Sequence, residues 1–130
     1  MSNLIKSFDH IAMTVKEFDK TIDWYVNNLG FSVKTKTENR ERGTRMAFLE
    51  GGGFAMLEIF GFIDSNRPVQ GPTLRAEETG IKHISFYVDD MNGMCERLKN
   101  VSVEFTAFTP QRVVFRDPNG ILIELRIAPL

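Results

Sequence analysis

Two halves of the chain share one pattern, and this internal repeat restricts the fold more than any other feature. The segment HIA at 10–12 matches HIS at 83–85, which lies 73 positions later. The segment MLE at 56–58 likewise matches LIE at 122–124, which lies 66 positions later. The smaller separation at the second match means that the second copy has fewer residues between its two matching segments. A repeat of this kind indicates two copies of one supersecondary unit that share a core.

Hydrophobic periodicity in the first copy predicts a strand, a helix and three further strands. Apolar residues from Phe18 to Leu29 recur at helical spacing, and Gly30 follows them as a stop signal. The predicted elements are the strand FDHIAMTV (8–15), the helix EFDKTIDWYVNNLG (17–30) and the strands FSVKTKTENR (31–40), TRMAFLE (44–50) and FAMLEIF (54–60).

The second copy repeats this order with a shorter helix. Asp89 or Asp90 is the expected N-cap, and the helix turns Met91, Leu98 and either Met94 or Cys95 inward. The predicted elements are the strand IKHISFYV (81–88), the helix DDMNGMCERLKN (89–100) and the strands VSVEFTAF (101–108), QRVVFRD (111–117) and GILIELRI (120–127), with a turn at 117–120.

The two copies therefore predict an α+β fold of tandem βαβββ modules. Module one spans about 5–62, a linker spans about 61–80, and module two spans about 80–128. The linker contains Pro68 and Pro72, which favour an irregular surface segment. A length of 130 residues fits one domain over 1–130.

Composition excludes several functional classes. The formal charge of −1, without a basic run, argues against a nucleic-acid or anionic-membrane partner. Apolar stretches are too short for a membrane span, and the polar start is not expected to be a signal peptide. The single Cys95 has no disulfide partner and fits a reducing cytoplasm. A count of 11 Phe and 6 Met suggests an apolar cavity or interface beyond a minimal core.

Four polar residues occupy equivalent places in the two copies. His10 and His83 lie in the first strand of each module, and Glu58 and Glu124 lie in the last. Both faces of the strand around Glu58 are apolar, so a carboxylate there is costly unless it is paired or coordinated. No Lys in the same strands offers a partner, which indicates a shared cation.

A divalent metal ion would satisfy this ligand set. Two imidazole nitrogens and two carboxylates balance the charge and leave up to two octahedral positions open for water or substrate. The set is compatible with one ion of Ni, Co, Mn, Fe or Zn. Such an ion can polarise a carbonyl, and Glu58 or Glu124 can then act catalytically by moving a proton at the adjacent carbon.

The chain resembles the vicinal oxygen chelate superfamily, which includes glyoxalase I, methylmalonyl-CoA epimerase, extradiol dioxygenases and the fosfomycin and bleomycin resistance proteins. The matching segments are FDHIAMTV, IDWYVNNLGF, FAMLEIF, GIKHISFYVDD and FRDPNGILIEL. The resemblance implies a cup-shaped mixed sheet with metal ligands at His10, Glu58, His83 and Glu124. It also implies a homodimer, in which the modules pair within one chain or exchange between two. The ligand set is most similar to bacterial glyoxalase I, which implies a metal-dependent lyase or isomerase that transfers a proton next to a metal-bound carbonyl or hydroxyl.

Two positions depart from glyoxalases that use glutathione. Such enzymes typically carry an Arg four residues after the first His and an Asn four after the first Glu, where this chain has Thr14 and Phe62. A glutathione adduct is therefore not the expected substrate. Phe60 and Tyr87, on the faces of Glu58 and His83, are candidate contacts to a more apolar substrate.

Two alternative functions stay open from the sequence. An iron-dependent ring-cleaving dioxygenase would normally need a further His, and both His residues of the chain are already assigned to the metal. A metal-free binding or antibiotic-resistance protein would not need all four ligands. Oxygen consumption with catechols and stoichiometric metal content distinguish these functions from a lyase or isomerase. Arg126, two residues after Glu124, points to the same side, where it is a candidate contact to an acidic substrate, but a solvated residue at a strand end is the expected outcome.

Overall fold

The computed structural model describes residues 4–71, 75 and 77–127. They divide into two compact units, the first ending at Val69 and the second beginning at Gln70. Each unit contains one helix and one four-stranded mixed sheet, which confirms the α+β fold of tandem βαβββ modules. The predicted linker residue Pro72 and the predicted end of module two at residue 128 lie outside the described residues. That 1–130 forms one domain stays a prediction.

Unit one has the sheet order β1-β4-β3-β2, in which β1 runs parallel to β4 and the other neighbours are antiparallel. Its elements are β1 (Ile11–Thr14), α1 (Phe18–Leu29), β2 (Ser32–Asn39), β3 (Thr44–Gly51) and β4 (Phe54–Phe62).

Unit two repeats this topology with the order β5-β8-β7-β6, in which β5 is parallel to β8. Its elements are β5 (His83–Tyr87), α2 (Met91–Asn100), β6 (Phe105–Phe108), β7 (Arg112–Arg116) and β8 (Leu122–Arg126).

Six of the eight strands are shorter than predicted, and three of them, β1, β5 and β6, show the physical reason. β1 begins at Ile11 rather than Phe8, which lies outside the ladder to β4 and is exposed. β5 begins at His83, since Ile81 is likewise exposed and unpaired in the ladder. β6 begins at Phe105 because the chain first closes the end of α2: Ser102 has a φ of 64° and the Val103 N–H donates to the Leu98 carbonyl.

Local signals set the helix ends where the sequence placed them. Gly30 follows α1 in the left-handed region with a φ of 78°, and its N–H donates to the Tyr25 carbonyl. Asp90 caps α2 by accepting a hydrogen bond of 2.9 Å from the Gly93 N–H. A side chain at Gly93 would collide with this carboxylate, so the glycine leaves room for the cap.

The buried side of α1 differs from prediction in its last turn. Ile22 and Tyr25 are buried as expected, but Asn28 is buried and Leu29 is only half-buried. Because each residue turns the helix by about 100°, residues 28 and 29 lie on opposite sides of the direction in which Tyr25 points. Either of them can therefore face the core. In α2, Cys95 rather than Met94 is fully covered, and burial raises the pKa of its thiol, which fits a packing role.

Each sheet has one apolar face that forms the core of its unit. In unit one Leu57 and Ile59 of β4 are fully buried, and Gly61 continues the same face. A Cβ at Gly61 would lie 2.8 Å from the Phe18 side chain, so α1 covers this face. In unit two Ile123 is likewise fully buried. Because side chains alternate along a strand, Glu58 lies on the face of its sheet away from α1.

None of the helices in the described ranges is long and apolar enough to span a membrane.

An ion-pair network ties the start of α1 to two strands. Asp19 accepts hydrogen bonds of 2.8 Å from both Arg45 on β3 and Lys36 on β2. The Arg45 guanidinium also lies 4.4 Å from the centroid of the Phe18 ring. The hydrogen bonds from Arg45 and Lys36 lower the pKa of Asp19 from 3.8 to about 2.

We expect this network to make stability depend on acid. A carboxyl with a lowered native pKa stabilises the fold above its unfolded pKa, and the stabilisation disappears as the pH falls from about 4 to about 2. Asp19→Asn should remove this dependence and cost about 1 kcal/mol or less at pH 7, because the side chain is 57% exposed. Urea unfolding between pH 2 and 6 measures both effects. Asp23→Asn replaces an exposed carboxylate one turn along α1 and should leave the fall in unfolding free energy at low pH unchanged. If the unfolding free energy fell equally at low pH in wild type and in Asp19→Asn, the prediction would be contradicted.

Candidate functional site

The first candidate pair meets on the open face of unit one. The parallel ladder places Ala12 opposite Glu58, and His10, two residues earlier, extends the same row of side chains. His10 Nε2 lies 3.8 Å from Glu58 Oε1. The Glu58 side chain is only 13% exposed. Unit one therefore brings together an imidazole nitrogen and a largely buried carboxylate.

Neighbouring side chains orient the His10 ring. Its Nδ1 is in a short hydrogen bond with Asp9 Oδ2, and its edge contacts the Phe48 ring at a centroid distance of 5.3 Å. A neutral imidazole that donates from Nδ1 keeps its lone pair on Nε2, the atom that faces Glu58. A carboxylate behind a histidine in this way is typical of metal-ligating imidazoles.

The second candidate pair occupies the matching positions of unit two. Ser85 lies opposite Glu124, and His83 lies one row earlier, opposite Leu122. The Ser85 hydroxyl donates a hydrogen bond of 2.9 Å to Glu124 Oε1.

Glu124 differs from Glu58 because its own unit supplies cations. Arg112 Nε donates a hydrogen bond of 2.8 Å to Glu124 Oε2, and a guanidinium nitrogen of Arg126 lies 3.6 Å from Oε1. Burial raises the pKa of Glu124, but hydrogen bonds from Arg112 and Ser85, with the charge of Arg112, outweigh it and lower the pKa. The inference of an unpaired carboxylate, drawn from the lack of a Lys in the same strands, is therefore wrong for Glu124, because arginines pair with it.

Sequence patterning did not identify Arg112 and predicted a solvated Arg126, because the position of both depends on the pairing of two strands. The turn at 117–120 fixes the β7–β8 register, which pairs Arg112 with Arg126 on the face of Glu124. Counting back from that turn would have found Arg112. Arg126 lies on the predicted side but is not solvated, because its side chain is 20% exposed and faces Glu124.

The candidate substrate contacts lie beside the carboxylates of their own units. Phe60 follows Glu58 by two residues on β4, opposite Thr14, and is half-buried. Tyr87 pairs with Arg126 and is 64% exposed. The ring of Phe62, at the end of β4, is covered by the Arg67 guanidinium 4.0 Å from its centroid. These placements do not test a role in substrate binding.

The donor set of unit one fits a metal ion. Ligand atoms at about 2.1 Å from one ion lie roughly 3–3.5 Å apart, and His10 Nε2 and Glu58 Oε1 are 3.8 Å apart. In unit two both Glu124 oxygens already accept a hydrogen bond, from Ser85 and from Arg112, so an ion would compete with these donors for the carboxylate. Over residues 4–71, 75 and 77–127, no three His, Cys, Asp or Glu side chains form a ready ligand cluster. The ligand assignment therefore stays a prediction.

Relatives of known sequence match nearly the whole chain. YwkD of Bacillus subtilis (strain 168), an uncharacterized protein, is 31% identical over 128 residues, which cover 94% of this chain and 97% of that protein. Mitochondrial methylmalonyl-CoA epimerase of Dictyostelium discoideum is 28% identical, with coverage of 93% and 78%. A protein of Vibrio cholerae serotype O1 named "Probable lactoylglutathione lyase" is 28% identical, with coverage of 89% and 86%.

Solved structures share the fold over the same extent. SMU.1112c has a TM-score of 0.80 and 30% identity, covering 94% of this chain and 98% of that one. The fosfomycin resistance protein FosX of Listeria monocytogenes, complexed with Mn(II) and sulfate, has a TM-score of 0.74 and 20% identity, with coverage of 98% and 96%. The second likeness is one of fold alone. A family model described as the Glyoxalase/Bleomycin resistance protein/Dioxygenase superfamily matches residues 7–125. The chain belongs to this superfamily.

Proposed function

We propose that the protein is a divalent-metal-dependent, glyoxalase-like lyase or isomerase acting on a small, partly apolar substrate. One observation carries the proposal: each unit presents a His and a Glu at matching positions of its parallel strand pair. The four ligands of one ion would be His10, Glu58, His83 and Glu124. Manganese, nickel, cobalt, iron and zinc are all compatible with this nitrogen and oxygen set.

The chain's own residues would bind, orient and deprotonate the substrate. When bound, a divalent ion polarises a carbonyl or hydroxyl of the substrate. Glu58 accepts a proton from the adjacent carbon and returns it, because its carboxylate has no guanidinium bonded to it in the described residues. Phe60 and Tyr87 would each offer aromatic surface to the substrate beside the carboxylate of their own unit. Glu124, bonded to Arg112 and Ser85, is the more firmly held carboxylate.

The relatives support this reaction class. One of them is named an epimerase and another a lyase, and inversion at a carbon next to a carbonyl proceeds by removing and returning a proton. Mn(II) in FosX supports a divalent ion in a protein of this fold. The superfamily description also includes dioxygenases and resistance proteins. An oxygen electrode with catechols as substrate separates these functions, since a lyase or isomerase consumes no dioxygen.

The metal site has a direct test. Protein stripped with a chelator and dialysed against Mn²⁺ should hold about one ion per chain by elemental analysis. His10→Ala should weaken Mn²⁺ binding by at least about 10-fold, because even loss of a residue that only supports a ligand has an effect of that size. Glu50→Gln, a partly exposed carboxylate on β3, is the control and should bind Mn²⁺ as wild type does. Wild type without stoichiometric metal, or His10→Ala with unchanged affinity, would refute the ligand assignment.

We also propose a homodimer in the cytoplasm. Proteins of this superfamily use a two-module site, and the modules pair within one chain or exchange between chains. The single Cys95 is buried and unsuited to a disulfide, which supports a reducing compartment. Sedimentation equilibrium tests the dimer, and a monomer at all concentrations would remove the exchanged arrangement.

A further inference from the structure

Unit two places more positive charge around Glu124 than one carboxylate neutralises. Arg112 Nε is bonded to Oε2 at 2.8 Å, whereas Arg126 lies 3.6 Å from Oε1, beyond hydrogen-bond distance. Two guanidiniums and one carboxylate leave a net positive charge on a face where Glu124 is 9% and Arg126 is 20% exposed. A cation held in such a place without a full partner favours an anion.

The Arg126 side chain is also incompletely hydrogen-bonded. Within the described residues, its buried Nε has no hydrogen-bond partner. A buried donor without an acceptor is costly, and an acceptor atom from a bound ligand would remove that cost. Tyr87, opposite Arg126 on β5, is exposed and leaves access from solvent.

The repeat shows that the fold does not require these arginines. The β3–β4 pair of unit one has the same register as the β7–β8 pair, and there Met46 pairs with Phe60 beside Glu58. The same strand pairing thus forms with two apolar residues at the positions where unit two has Arg112 and Arg126. The arginines are therefore an addition to the shared architecture, and this favours a ligand role.

We infer that Arg112, Arg126 and the Ser85 hydroxyl form a carboxylate-binding subsite, and that the substrate of this site carries a carboxylate. The inference rests on the proposed function in one respect. When Glu124 binds the metal ion, its carboxylate no longer occupies these hydrogen-bond donors, and they can bind the substrate. A carboxylate is the fitting group because Glu124 already demonstrates the match. Its two oxygens accept one hydrogen bond each, from Ser85 and from Arg112.

A rescue experiment tests the subsite without metal. In Glu124→Ala the guanidiniums lose their carboxylate, so acetate should bind this variant at least about 10-fold more tightly than it binds wild type. Thermal-shift titration measures the affinity. The neutral isostere acetamide should give no such gain, and acetate should give none in Glu58→Ala, where Met46 and Phe60 take the place of the arginines. Equal rescue by acetamide, or equal rescue of Glu58→Ala, would overturn the inference. Stronger rescue by methylphosphonate than by acetate would overturn the choice of carboxylate.

A second measurement covers the case in which Glu124→Ala does not fold. Mn²⁺-loaded wild type should bind pyruvate at least about 10-fold more tightly than methyl pyruvate, measured by calorimetry. Arg112→Met and Arg126→Met should each reduce this preference, and Arg97→Met, an exposed arginine on α2, should keep it. Bound Mn²⁺ with no preference for pyruvate overturns the subsite and leaves the proposed function standing. Acetate rescue without Mn²⁺ binding supports the subsite and refutes the metal proposal.

Discussion

Glu58→Gln is expected to slow proton exchange at the substrate carbon by about two to four orders of magnitude while the protein keeps most of its metal. Glutamine retains an amide oxygen that can still approach an ion, but it cannot accept a proton at neutral pH. Glu58 is proposed as the base because, within the described residues, its ionic neighbour is His10 at 3.8 Å and no guanidinium is bonded to it. A large loss of turnover with only a small loss of bound metal would therefore show that Glu58 acts as the base and not only as a metal ligand.

Deuterium uptake measures this effect before the natural substrate is known. Pyruvate and hydroxyacetone, with and without a carboxylate, are incubated in D₂O with loaded protein, and exchange is followed by mass spectrometry. Elemental analysis of the same samples gives the metal content. Glu50→Gln should exchange at the wild-type rate, and Glu124→Gln should be affected less than Glu58→Gln, since Arg112 and Ser85 hold that carboxylate. Parallel losses of exchange and metal in Glu58→Gln would make Glu58 a ligand only.

The architecture was largely predictable because its signals are local or repeated. Gly30 ends α1, and Asp90 caps α2, where short-range chemistry placed them. The repeat then extended these local signals to a second βαβββ module, and the alternation of strand side chains placed Glu58 and Glu124 on one face of each sheet. Strand ends were less predictable, because they depend on ladder partners, as at Ile11, or on a backbone turn, as at Ser102.

The surroundings of the candidate site were less predictable than its residues. Identifying Glu124 needed only the repeat, but finding its ion pair with Arg112 required the register between two strands. That register decides whether a carboxylate in an apolar strand lacks a cation or already has one. Sequence patterning treated Glu58 and Glu124 as equivalent, whereas Met46 and Phe60 flank the first and two arginines flank the second.

Phe115→Ala is expected to lower the free energy of unfolding by about 3–5 kcal/mol, a large part of the stability of a small domain. Phe115 is fully buried on β7, and its ring contacts Phe105 at a centroid distance of 6.2 Å. Truncation removes this burial and leaves a cavity that the surrounding strands fill only in part. Urea unfolding followed by circular dichroism measures the loss. Phe54→Ala is the matched control, because Phe54 is 47% exposed and should cost far less.

The same variant tests whether the chain unfolds as one domain. The single Trp24 lies on α1 of unit one, whereas Phe115 lies in unit two. If 1–130 is one cooperative domain, Trp24 fluorescence and circular dichroism should report the same lowered midpoint in Phe115→Ala. A Trp24 transition that keeps its wild-type midpoint would show that the units unfold independently and would contradict the single domain. A joint shift would instead show that the stability of unit two contributes to that of the unit that carries His10 and Glu58.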